Sequence, residues 1–115
     1  MKPRFALAAA AAVLMAASAD AATTTVSVQG MAPIEEGSFQ LRQTTVRYGD
    51  LNIASKDGAS ALLARIDQAA AATCKSERLP SATVKQLVKQ CRTQAVDQAV
   101  ANVHSPELTM VANAK

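Results

Sequence analysis

Few residues in this chain could carry covalent chemistry. Cys74 and Cys91 are the only cysteines and His104 is the only histidine. The cysteines lack C-x-x-C spacing, so a thioredoxin-like redox pair is unsupported. A zinc site needs about four ligands, which two distant cysteines and one histidine do not furnish. One histidine with no local motif does not make a catalytic triad. Glu35 and Glu36 are adjacent, and neighbouring side chains cannot flank a scissile bond as hydrolase acids do. They read as a solvated loop, with a weak cation site as the alternative. Asp50 follows Tyr48-Gly49 and reads as a turn cap rather than a ligand. Asp57 suits the first turn of a helix, where a carboxylate complements the dipole. The four glycines are scattered singly, so no phosphate loop is present. No catalytic residue, metal ligand or cofactor is therefore expected, and the chain reads as a non-enzyme.

Charge is uneven in one place. Lys75, Arg78, Lys85, Lys89 and Arg92 are opposed only by Glu77 over that stretch. Lys85, Lys89 and Arg92 recur at i, i+4, i+7 and so share one helical stripe. The plain reading is a solvated face opposite the core. The sharper reading is a docking patch for an anionic partner, such as lipid headgroups or an acidic protein. Aromatic residues make up 3% of the chain, too few for base-stacking platforms, and no nucleic-acid partner is expected.

The N-terminus sets the compartment in which these residues would act. Lys2 and Arg4 precede an uncharged apolar run over 5–17, and Ala17-Ser18-Ala19 or Ala19-Asp20-Ala21 offers A-x-A spacing. That is the pattern of a cleavable export signal, residues 1–19, with cleavage as late as 21. The run is shorter than the ~20 residues a membrane span needs, so an anchor helix is the weaker reading. The expected location is the bacterial periplasm or the exterior, with no transmembrane anchor left after cleavage. Without Lys2 and Arg4 the chain keeps ten basic against nine acidic residues, so the high pI belongs largely to the signal. Two cysteines in a small exported domain point to a disulfide, Cys74–Cys91. Free or intermolecular thiols are the alternative.

The elements that would position these residues follow from periodicity. Segment 23–29 alternates with Val26 and Val28 on one face, and predicts a strand. Gly30 to Gly37 reads as a loop. Segment 39–48 predicts a second strand whose apolar parity changes from Phe39 and Leu41 to Val46 and Tyr48, which a bulge at Gln43-Thr44 would reconcile. Leu51 and Ile53 continue the alternation to Ser55. Ser55 is an N-cap for a helix through Cys74, with Leu62, Leu63, Ile66, Ala69, Ala70 and Thr73 on one stripe. Ser81 caps a second helix with Val84, Leu87, Val88, Cys91, Ala95, Ala99 and Val103 inward. Ser105-Pro106-Glu107 starts a short last helix, and His104 ends the one before it, where a protonated ring would favour the dipole. The expected fold is mostly α with a short β-hairpin or strand. It comprises a flexible or strand-forming segment over 20–43 and a helical domain over 44–112 built on a disulfide-linked antiparallel helical hairpin.

These residues together resemble the UrcA family of small exported bacterial proteins. The carrying pieces are Thr45-Val46-Arg47-Tyr48-Gly49-Asp50-Leu51-Asn52-Ile53 with Ser55, Gly58 and Ala59 through Ile66 into Cys74, then Cys91-Arg92, Ala99-Val100-Ala101 and Ser105-Pro106-Glu107-Leu108-Thr109. Lys56 stands where a proline would be common, and His104 where a small polar residue would. The resemblance implies export, small size and the disulfide. It supplies no catalytic or ligand residue. The expected role is an interaction or envelope-stress protein with an unidentified protein or envelope partner, and the alternative is a small-ligand or metal-ion binding module.

Overall fold

The computed structural model describes residues 24–35, 37–76 and 81–114. The expected export signal over 1–19 lies outside them, as do Glu36, Glu77 and Arg78. The described chain forms an antiparallel hairpin of β1 (Thr25–Glu35) and β2 (Ser38–Arg47), followed by α1 (Lys56–Thr73), α2 (Ala82–Val103) and α3 (Pro106–Asn113). It is thus mostly helical with a β-hairpin, as composition and periodicity predict.

The hairpin departs from expectation in two ways. First, β1 does not stop at Gln29 but runs through Gly30 to Glu35, where a loop was expected. The pairing explains how it passes Pro33. Tyr48 donates its N–H to the Thr24 carbonyl, so even-numbered residues of both strands occupy the hydrogen-bonded positions. Pro33, opposite Phe39, falls at a non-bonded position whose N–H would point away from the ladder, and its missing donor costs no bond. The turn then closes through Gly37, at φ 76°. Second, no bulge sits at Gln43-Thr44. Pairing is continuous there, and the register shift lies between Pro33 and Glu35. The parity change is resolved by exposure instead. Val46 and Tyr48 face the core, while Phe39 and Leu41 face solvent beside Met31, at 45%, 63% and 53% exposed. The inner positions opposite them carry polar groups that find partners on the helical layer. The Arg42 guanidinium donates to the Lys75 carbonyl at 2.8 Å, and the Thr44 and Thr73 hydroxyls bond at 2.8 Å. Leu51 and Ile53 likewise do not extend a strand. Segment 49–55 is a series of turns, and both side chains pack partly against the core.

The helices begin where their caps predict. The Ser55, Ser81 and Ser105 hydroxyls accept the N–H groups of Gly58, Val84 and Leu108 at 3.0, 3.2 and 3.1 Å. Gly58 must be glycine for a packing reason: a Cβ there would collide with the Asn52 carbonyl. That carbonyl accepts the Ser55 hydroxyl at 2.8 Å. The predicted α1 stripe is buried in full, joined by Ala59. On α2, Val84, Cys91, Ala95 and Ala99 are buried as expected, but Leu87, Val88 and Val103 are only half-buried and Val100 joins the core. These side chains meet Val26, Val28, Val46 and Tyr48 of the hairpin in one core, which Leu108 of α3 closes.

Cys74 and Cys91 are disulfide-bonded, with Cα atoms 5.8 Å apart. Cys74 caps α1, donating its N–H to the Ala70 carbonyl, and Cys91 lies inside α2. Gly30 of β1 lies against the bond. A Cβ at that position would stand 2.7 Å from the Cys91 sulfur and 3.1 Å from the Cys74 sulfur. A side chain at position 30 would force the strand and the cystine apart.

Candidate functional site

α1 packs on α2, which is the longer helix at 22 residues against 18. The inner face of α2 is filled by the hairpin and α1, while an adjoining face forms one wall of an open cleft of about 980 Å³. Its lining on α2 runs from Lys85 to Ala101, about 24 Å at helical rise. Leu63 and Asp67 of α1, and Thr109, Ala112 and Asn113 of α3, form the opposite wall.

The sequence-predicted basic residues Lys85, Lys89 and Arg92 all line this groove and are all exposed. Their stripe spacing sets them along one side of the N-terminal half of α2. Between and beyond them lie Val88 and Val96, half-buried, and the buried Val100 and Leu63. The exposed basic stripe thus borders a groove with apolar residues along its floor. The groove is not uniformly basic. Asp97 of α2 and Asp67 of α1 line the same groove farther along. Sequence reasoning missed both carboxylates, together with Leu63 and Val100. Asp97 lies eight residues after Lys89, about 80° round the helix from it and farther from Lys85 and Arg92, and the α1 residues reach the groove only through tertiary packing.

The remaining candidates separate from the groove. Lys75 is exposed, and its carbonyl is engaged by Arg42. Glu35 closes β1 instead of sitting in a loop. Asp57 stands in the first turn of α1, as expected. His104 ends α2 in the left-handed conformation, φ 58°, ψ 41°. Asp50 does more than cap its turn. Its carboxylate accepts both terminal nitrogens of Arg65, at 2.8 and 2.7 Å. Arg65 also donates to the Arg47 carbonyl at 2.9 Å, tying α1 to the end of β2. The Arg65 hydrogen bonds, followed by a bond from its own backbone, hold the Asp50 carboxyl down at about 2 from an ordinary 3.8. The same pairing raises Arg65. Nothing in the sequence marks Arg65, an ordinary charged position on a helix.

No family model, curated protein or solved structure matches the chain. Among the described residues, no group of three or more His, Cys, Asp and Glu could hold a metal ion, and no helix is long and apolar enough to cross a membrane.

Proposed function

We propose that this chain is a small exported, non-enzymatic interaction protein of the UrcA type that docks an acidic partner segment in the α2 groove. One observation carries the docking reading: Lys85, Lys89 and Arg92 converge on the same groove as Leu63, Val88, Val96 and Val100. An apolar floor supplies area to bury, and cations at one end select and steer an anionic group. The groove's volume also lies within the roughly 300–1,000 Å³ of small-molecule sites. Its length and openness along α2 favour a segment of chain over an enclosed ligand. Export is supported by the pattern of residues 1–19 and by a disulfide joining the only two cysteines. The resemblance to UrcA proteins belongs to this proposal.

The test has two arms. Mass spectrometry of the exported protein is expected to find its N-terminus at Asp20 or Ala22, and an intact Met1 in the periplasmic fraction would refute export. For docking, the protein is titrated with an amphipathic helical peptide of about sixteen residues, matched to the groove at 1.5 Å per residue and bearing glutamates along one face. Binding should weaken with added salt. Reversal of Lys85, Lys89 and Arg92 to glutamate should weaken it at least tenfold and flatten the salt dependence without shifting the melting temperature by more than a few degrees. Equal binding by the reversed variant ends the docking reading.

A further inference from the structure

We propose that the free edge of β2 pairs with the β2 edge of a second copy of this chain, antiparallel about a two-fold axis at Leu41. The surface lies apart from the α2 groove, none of its residues lines that groove, and the inference stands independently of the docking reading. The backbone supplies the first observation. Even-numbered residues of the hairpin bond across it, so the N–H and carbonyl groups of Phe39, Leu41, Gln43 and Thr45 point out of the β2 edge. No backbone bond among the described residues reaches them. The next outward carbonyl, that of Arg47, is taken by the Arg65 guanidinium at 2.9 Å, so the open stretch has a defined end. The edge of β1 is unsuited to a full ladder, because its outward position 33 is proline.

Edge strands that stay single carry devices against pairing, such as proline, a bulge or an outward charge. β2 has none of these from Phe39 to Thr45. Its pairing with β1 is continuous there, and its one charge, on Arg42, turns inward to the Lys75 carbonyl. The outer face instead carries Phe39 and Leu41, with Met31 opposite Leu41, three of the four large apolar side chains left exposed among the described residues. Side chains and charge set the register. A dyad at Leu41 makes Leu41 its own partner and sets Phe39 opposite Gln43, and these pairs exchange both backbone bonds. On the outer face Met31 and Leu41 of one copy then run on into Leu41 and Met31 of the other, an apolar row across the joined sheet. On the inner face Arg42 falls opposite Gln40, whose amide oxygen accepts its Nε at 3.3 Å within one chain. A dyad one residue later would set the two Arg42 face to face. The ends also match. Arg47, exposed, comes to lie past the end of the other copy's strand, beside the turn at which Glu35 closes β1, and by symmetry the pair occurs twice. Opposite charges at the two ends of an antiparallel contact make the edge complementary to itself, which singles out a second copy.

The test is sedimentation equilibrium of the disulfide-bonded protein across concentration, with site-directed crosslinking. A strand pair of this length is a small interface, so the wild type should dimerise weakly, with a dissociation constant between about 10 μM and 1 mM. Leu41→Lys, at an exposed position, sets two cations on the axis and should weaken association at least tenfold while the melting temperature holds. Gln43→Pro removes an outward N–H and no hairpin bond, and should do the same. Arg47→Glu and Glu35→Arg should each weaken the dimer about threefold or more, and the combined R47E/E35R protein should recover, which fold damage would not produce. Leu41→Cys should form a disulfide dimer on oxidation, since its Cα atoms would stand about 5.5 Å apart across the axis. Gln43→Cys, which faces Phe39, should not. A wild type that stays monomeric at millimolar concentration overturns the proposal. So does a dimer that Leu41→Lys leaves unchanged, or a Gln43→Cys protein that crosslinks as readily as Leu41→Cys.

Discussion

Replacement of Gly30 by alanine should destabilise the oxidised protein and stabilise a protein without the disulfide. Gly30 does not lie at positive φ, since Gly37 is the one described glycine that does, so its backbone accepts alanine. In open space such a change stabilises by about 0.4–1 kcal/mol, because it restricts the unfolded chain. Here the new Cβ would stand 2.7 Å from the Cys91 sulfur, 3.1 Å from the Cys74 sulfur and 3.7 Å from the Thr73 methyl. The sulfurs are not the free ends of flexible side chains; each is held by its bond to the other and by its own helix. Overpacking of this kind costs about 1–3 kcal/mol. The net expectation is a loss of roughly 1–2 kcal/mol, or about 4–8 °C in the melting temperature for each kcal/mol in a domain of this size. In a Cys74→Ala, Cys91→Ala background the obstructing atoms are gone, and the sign should reverse to a gain of up to about 1 kcal/mol. Urea unfolding at low temperature of the four proteins in this cycle measures the coupling directly. Equal effects of Gly30→Ala with and without the cystine, or stabilisation of the oxidised protein, would refute the reasoning.

Three further outcomes are expected. Cys74→Ser or Cys91→Ser should lose about 3 kcal/mol in urea unfolding, the chain-entropy value for a loop closed over 17 residues, and the double serine variant should match either single one. Because the Asp50 carboxyl is held down at about 2 from 3.8, the ion pair's contribution is present above 3.8 and is lost as pH falls towards 2. Both side chains are substantially exposed, so the effect on stability should be small and salt-sensitive. Carboxyl NMR should place the Asp50 midpoint near 2, and Arg65→Gln should return it towards 3.8; a wild-type midpoint at 3.8 would be the contrary result. Ser105→Ala removes the hydroxyl that accepts the Leu108 N–H in a buried setting, and should cost about 1–2 kcal/mol by thermal denaturation, more than the same change at the exposed Ser81.

What could be read from the sequence was local. Ser55, Ser81 and Ser105 announce three helix starts because a cap is decided within four residues. The α1 stripe is legible because its apolar positions all face one core, and the two cysteines because each falls on such a stripe. Elements whose logic is tertiary were not legible. Glycine and proline at 30 and 33 read as loop, yet the first lies against the cystine and the second at a ladder position needing no donor. Phe39 and Leu41 were expected on the core side, because alternation alone does not tell which parity faces in. Arg42 and Thr44 are inner residues only because Lys75 and Thr73 stand ready to bond them. The basic half of the groove was visible as a helical stripe. Asp67 and Leu63 were not, since they belong to another helix and enter only when α1 packs against α2.

The glycine contact over the cystine also governs how fast that bond can be exchanged. A thiolate must reach a sulfur to break a disulfide, and exchange rates depend on that access. Cys74 is fully buried, Cys91 nearly so, and the β1 backbone at Gly30 lies directly against both sulfurs. A small reductant or a disulfide isomerase therefore meets very little of the cystine in the closed molecule. Exchange must wait for the hairpin to lift, so its rate becomes a clock for local opening of β1 from the helical layer. The same geometry orders assembly. If the hairpin docks first, it shuts the oxidant out; if the bond forms first, the hairpin can settle onto it.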